Sequence, residues 1–275
     1  GKKCASKATA KAFACSGRDE GQCRSQCDKN NAKSCTQLAR IYRNAGKDPI
    51  QAVEFFKKAC GLGDEAACAE HGWHLLNGID VNADKFKAFE AFEKACNAGD
   101  GLGCSFLAGM HRSGAAPEAT PEKAFNLFKR ACNGGLAEGC VELGTMYEKG
   151  VGTPRDAKKA LTIYERACRA DNPDGCAHQG SLFTNERRGA GLDRQKAISL
   201  FKSACEKGSA LGCTELGNMY FGGAGMEREK QSENDAEAAK LYEKACKLWG
   251  GAEGCARLGN LMIKGWGVKR DTYNG

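Results

Sequence analysis

Cysteines are the residues of this chain whose type and spacing point most directly to chemistry. There are 17 in 275 residues. Sixteen fall into local pairs eight residues apart, nine in the last: Cys15/Cys23, Cys27/Cys35, Cys60/Cys68, Cys96/Cys104, Cys132/Cys140, Cys168/Cys176, Cys205/Cys213 and Cys246/Cys255. Paired thiols either ligate a metal or form disulfides. Structural zinc favours short Cys-x-x-Cys-type knuckles, completed by a second knuckle or a His pair. Here each gap holds a helix end, a turn and a helix start, and no His follows in register. Only Cys23 and Cys27 have knuckle spacing, and two flanking pairs already account for them. The eight pairs are therefore expected to be disulfides, with no metal. Persistent disulfides place the protein in an oxidising compartment: periplasmic, cell-surface or secreted. Cys4 is left over, and a free or intermolecular thiol is expected there. Lys3 stands where a lipoprotein cleavage site requires a small residue.

His71 and His74, three residues apart with Glu70 adjacent, could begin a metal site on one helix face. His71, however, stands three residues after its cysteine, as do Leu38, Leu107, Leu143, Leu216 and Leu258. A packed imidazole is the simpler expectation. His111 likewise takes the place of Tyr42, Tyr147 and Tyr220. The c-type haem attachment motif is absent. No catalytic residue and no cofactor is expected.

The elements that position the cysteines repeat. Phe56, Phe92, Phe128, Tyr164, Phe201 and Tyr242 each precede the first cysteine of a pair by four residues. Successive first cysteines lie 36, 36, 36, 37 and 41 residues apart, a period that means a repeat array. In 140–150, Leu143, Met146 and Tyr147 share one helical face; Gly150, Gly152 and Pro154 end that helix. In 157–168, Ala160, Ile163, Tyr164 and Ala167 share another. Each unit is thus a helix pair, an A helix opened by the second cysteine and a B helix closed by the first cysteine of the next pair. Strand signals are absent, and the fold class is an all-α αα-repeat solenoid with a disulfide between successive helix pairs. A turn of five or six residues is expected between the two cysteines.

Small residues recur with the large ones. Ala39, Gly72, Ala108, Gly144, Gly180, Gly217 and Gly259 each stand four residues after a second cysteine. A helical glycine costs about 1 kcal/mol against alanine, so its repeated use implies close helix approach, with the B-helix aromatic filling the space.

The expected organisation is a disulfide-clamped N-terminal cap over 1–34, with a short helix in 6–15 and Gly17 and Gly21 bracketing a turn. Repeats follow over 35–275, in units near 35–67, 68–103, 104–139, 140–175, 176–212 and 213–254 and a partial one at 255–275. Charged insertions at 185–195 and 226–237 mark tolerated variation, the second as a surface loop. The chain shows no secretory signal, as a mature or excised form would, and it stops within its seventh unit, which implies either a cap of its own or a truncation. Net charge is +7 with both signs interspersed and no basic block, so nucleic-acid binding is not expected. No apolar run is long enough for a transmembrane segment.

The string CVELGTMYEKGVGTPRDAKKALTIYERA (140–167) resembles a Sel1-like repeat, a relative of the tetratricopeptide repeat. With the Cys-x7-Cys between units, the chain is similar over about 27–270 to the disulfide-rich branch typified by Helicobacter cysteine-rich proteins. The resemblance implies a right-handed superhelix whose A helices line a concave face, and a protein-binding scaffold holding a partner protein or peptide, within an envelope complex or in secreted form. Positions two and five after each opening cysteine fall between the packing positions and vary. They are Gln37 and Arg40, Glu70 and Trp73, Phe106 and Gly109, Glu142 and Thr145, His178 and Ser181, Glu215 and Asn218, and Arg257 and Asn260. Trp73 and Phe106 suit a partner anchor. Trp249 and Trp266 are expected as edge contacts or caps. That branch is also associated with weak penicillin binding and β-lactamase activity, which makes a hydrolase the alternative and a structural subunit of an envelope assembly the third reading. An acyl-serine enzyme needs Ser-x-x-Lys with Lys-Thr-Gly and Ser-x-Asn elements. Ser199 and Lys202 supply the first alone, in the middle of a B helix.

Overall fold

The computed structural model describes residues 15–16, 19–46, 48–184, 191–222 and 231–272. Among them are fourteen α-helices and no strand. The A helices are α2 (Ala32–Ala45), α4 (Glu65–Asn77), α6 (Gly101–Arg112), α8 (Ala137–Lys149), α10 (Pro173–Leu182), α12 (Ala210–Phe221) and α14 (Ala252–Lys264). The B helices are α1 (Glu20–Asp28), α3 (Pro49–Gly61), α5 (Lys85–Asn97), α7 (Pro121–Asn133), α9 (Ala157–Arg169), α11 (Arg194–Glu206) and α13 (Gln231–Cys246). The chain divides into two compact units, Gly1–Gly134 and Gly135–Gly275.

Most helices start where the sequence supplies a side-chain cap; α8 and α14, preceded by Leu136 and Gly251, have none. Asp48, Asp84, Asp100 and Thr120 in the first unit accept from the third amide of the helix they precede. Asp156, Asn172, Asp193 and Ser209 do the same in the second. Such a cap satisfies an amide that the helix itself leaves unpaired. Each A helix up to α12 packs most extensively on the B helix that follows it, while α14 packs on α13, and neighbouring A helices touch along one wall: α4 with α6 in the first unit, and α8, α10, α12 and α14 in sequence in the second.

Two kinds of close approach hold each hairpin. A methyl added at Gly72 would lie 2.7 Å from the Phe92 ring, and one at Gly144, Gly180 or Gly217 would lie 2.5, 2.8 or 2.6 Å from Tyr164, Phe201 or Tyr242. The second pairs the residue before each second cysteine with the alanine before the first: a methyl on Gly103 would lie 2.5 Å from the Ala95 methyl, and one on Gly175 2.6 Å from that of Ala167. The aromatics themselves are at most 2% exposed.

In most repeats the B helix continues past its cysteine, so the turn to the next A helix is three residues (62–64, 98–100, 170–172, 207–209), shorter than the spacing suggests; α13 ends at Cys246 and its turn, 247–251, has the expected five. The middle residue of the shorter turn is left-handed, with φ of 94°, 95°, 62° and 92° at Gly63, Gly99, Asp171 and Gly208. This brings the two cysteines within one bridge length. Cα–Cα distances are 4.4–5.0 Å at Cys15–Cys23, Cys27–Cys35, Cys60–Cys68, Cys96–Cys104, Cys168–Cys176, Cys205–Cys213 and Cys246–Cys255. Cys132 and Cys140 are also disulfide-bonded.

Two local expectations are corrected. Gly21 does not bracket a turn; it lies in α1, whose first turn is fixed by the Asp19 cap. Residues 231–237 of the second charged insertion are the first two turns of α13, not loop. Glu233, in the first turn, suits a helix N-terminus, where the dipole favours negative charge. Cys4, the helix in 6–15 up to residue 14, and positions 185–190 and 226–230 of the insertions lie outside the described residues.

Candidate binding face on the A helices

In the first unit the variable A-helix side chains are half-buried: Gln37 and Arg40 on α2, Glu70 and Trp73 on α4, Phe106 on α6. Phe106, and arginines one turn further along α2 and α6, close over B-helix rings. Phe106 stacks on Phe92 with centroids 5.0 Å apart. Arg43, one turn beyond Arg40, lies 5.6 Å above Phe56 and pairs with Glu70 at 2.8 Å. Arg112 lies 5.3 Å above Phe128. Trp73 meets His74 edge-on at 5.1 Å. A cleft opens between α2 and the start of α4, with Lys33, Gln37 and Arg40 on one side and Asp64 and Glu65 on the other.

The second unit repeats the arrangement with more polar groups. His178 stacks on Tyr164 at 5.0 Å and 13°. The Tyr164 hydroxyl donates to Glu148 at 2.9 Å and lies 3.1 Å from the Thr145 hydroxyl. Burial holds the His178 ring below the ordinary imidazole range despite Glu148, Asp174 and Glu142 nearby, and raises the Tyr164 phenol. The Tyr242 hydroxyl donates to Asn218 at 2.8 Å, and Asn218 reaches Glu215 at 3.4 Å. Arg257 is exposed and pairs with Glu253 on its own helix at 3.1 Å. Ser181 does not belong to an exposed stripe: it is 7% exposed and donates to the Ala177 carbonyl. Its short side chain sinks where Gly180 lets Phe201 close in.

Phe106 and His178 thus do two jobs, covering a ring on one side and meeting solvent on the other. The residues one turn further on, Arg43 and Arg112 in the first unit and Glu148 and Phe221 in the second, extend the stripe of their own unit. They continue the three-residue step of the two predicted positions, which is the signal that would have found them.

The other candidates disperse. His74, not His71, is the deeply packed imidazole, at 3% exposure; its Nδ1 bonds the Ile79 carbonyl and its Nε2 has no partner. It takes the place of Met110, Met146 and Met219, while His71 is half-buried. No group of His, Cys, Asp and Glu among the described residues could hold a metal ion. Ser199 and Lys202 both lie exposed on α11. Trp249 is fully exposed, and Trp266 lies 5.7 Å from Phe221. Among the described residues no helix is long and apolar enough to cross a membrane.

The family model of the Sel1 repeat matches seven stretches: 32–64, 65–100, 102–136, 137–172, 186–209, 210–248 and 252–274. No curated protein sequence matches the chain. Among solved structures it is similar to c5321, a protective antigen of uropathogenic Escherichia coli displaying an SLR fold. The TM-score is 0.77 at 22% identity, over 92% of this chain and 53% of that one, so this chain spans about half its length. A Sel1 repeat protein from Oxalobacter formigenes gives 0.74 at 25% identity, over 87% and 95%. Helicobacter pylori cysteine rich protein B gives 0.39 at 27% identity, over 48% and 97%.

Proposed function

The chain belongs to the Sel1 repeat family, and from that premise we propose that it is a protein-binding scaffold of an oxidising, extracytoplasmic compartment, holding its partner along the A-helix stripe. Sel1 repeats mediate protein–protein interaction. One observation carries the choice of face. At equivalent places on successive A helices the packing residues keep their size, whereas the half-exposed residues change from Gln37 to Glu70 to Phe106 in the first unit, and from Glu142 to His178 to Glu215 in the second. A scaffold needs a constant frame carrying a surface whose chemistry varies along it. The disulfides support the compartment, because the cytosol keeps thiols reduced.

The test is affinity for a partner recovered from that compartment. Arg40→Glu combined with Glu215→Lys should weaken it by roughly tenfold or more, since rim charges steer and register a partner. Lys57→Glu with Lys129→Glu, both exposed on B helices, should leave it unchanged. The reverse result would move the partner off the A-helix face.

A further inference from the structure

The Tyr242 ring marks a place where the A-helix wall is left open. At Phe92 the position two after the next cysteine is Phe106, which stacks on the ring; at Tyr164 it is His178, which does the same. At Tyr242 that position is Arg257, whose guanidinium turns to Glu253. The result is a hollow over Tyr242 and Leu261, walled by Phe221 and Trp266 and rimmed by Arg257, Asn260 and Lys264.

The hollow has two chemistries. Its walls are aromatic: the Phe221 and Trp266 rings stand 5.7 Å apart and tilted by 32°, and Trp266 stays 44% exposed beside them. A flat side chain entering there would meet ring edges and faces on two sides. Its rim is cationic. Lys264 Nζ lies 4.3 Å over the Trp266 ring, a contact that leaves its charge without a counter-ion. Glu253 pairs with Arg257, and Glu215 accepts from the neutral Asn218 amide. Among the described residues no carboxylate pairs with Lys264, so an acidic group entering beside it would meet an uncompensated cation.

We propose that this hollow is the anchor pocket for an acidic peptide segment of the partner. One aromatic side chain seats over Tyr242 and Leu261 against the Phe221–Trp266 pair, and a carboxylate beside it in sequence pairs with Lys264 and accepts from the Asn260 amide. The proposal rests on the A-helix face being the binding face and gives its partner a chemistry.

Trp266 is its own reporter. With Trp73→Phe and Trp249→Phe it becomes the sole tryptophan of the chain. The probe is an acetylated, amidated peptide with one Phe between Asp and Glu. A second peptide carries Lys for both acids, and a third Ala for Phe. Saturable quenching by the first alone, weakened roughly tenfold by Lys264→Glu, is the expected result. Lys264 is exposed, so the variant keeps the fold, which circular dichroism checks. No saturable change at millimolar peptide, equal binding of the lysine peptide, or indifference to Lys264→Glu overturns the pocket. If the pocket fails while partner affinity still depends on Arg40 and Glu215, the binding face stands; if that dependence fails while the peptide binds, the pocket stands alone.

Discussion

Replacing Cys96 and Cys104 together by alanine shows how the cystines hold the array. Both are buried, at 0% and 2% exposure, and their Cα atoms lie 4.4 Å apart across a sequence separation of 8. Alanine leaves no polar group behind, so the native packing of α5 against α6 should survive. The loss arises in the unfolded chain. Opening so short a loop returns roughly 2.5 kcal/mol of chain entropy to the unfolded state at 25 °C. In a repeat array unfolding can proceed unit by unit, which makes a single melting temperature a poor reporter. Native-state hydrogen exchange resolves the elements separately. Amides of α5 and α6 should exchange roughly seventyfold faster, the rate equivalent of that loss. Those of α1 and α2 should hold their protection, and the native spectrum should be unchanged. Acceleration under about threefold, or an altered native spectrum, would refute unfolded-state constraint as the source of stability.

Three further outcomes follow from single contacts. Lys94 donates to the Cys60 carbonyl at 2.6 Å, the end of the preceding B helix; Lys94→Met should cost about 1 kcal/mol in chemical denaturation, and Ser203→Lys, at the same place in a later repeat, should gain a few tenths. Burial depresses the His178 pKa in the fold, so its contribution to stability is complete above the ordinary value of about 6.5 and falls away as pH drops through the folded value. His178→Phe, which keeps the stack on Tyr164, should flatten that part of the stability–pH curve. Burial pushes the Tyr242 phenol up to about 12, so its contribution holds below the ordinary value of about 10 and is lost as pH rises through the folded one; Tyr242→Phe should remove a late step from the phenolate absorbance titration.

The cysteine register was legible in full because a period of fixed length carries both the helix pair and the bridge. The fit of Phe92 to Gly72 and of Tyr164 to Gly144 was legible for the same reason, since each large residue recurs with its small one. What crosses from one repeat to another was not. Lys58, Lys94 and Arg130 look like routine surface cations, yet each donates to a carbonyl of the preceding cysteine, Cys27, Cys60 and Cys96. A backbone acceptor leaves no mark in a sequence. Helical periodicity also tells which face a residue shares but not its depth: Ser181 and Asn218 occupy equivalent positions, and only the longer side chain reaches the surface. The start of α13 was hidden by charge, which reads as loop although acids near a helix start stabilise it.

The central claim is that the A-helix wall carries the partner. Photo-crosslinking amino acids placed singly at Arg40, Glu215, Lys57 and Lys129, in protein kept in its native compartment, test it most directly. Adducts of one mass from Arg40 and Glu215, and none from Lys57 or Lys129, are the predicted result. Adducts from the B-helix positions, with the A-helix positions silent, would contradict it.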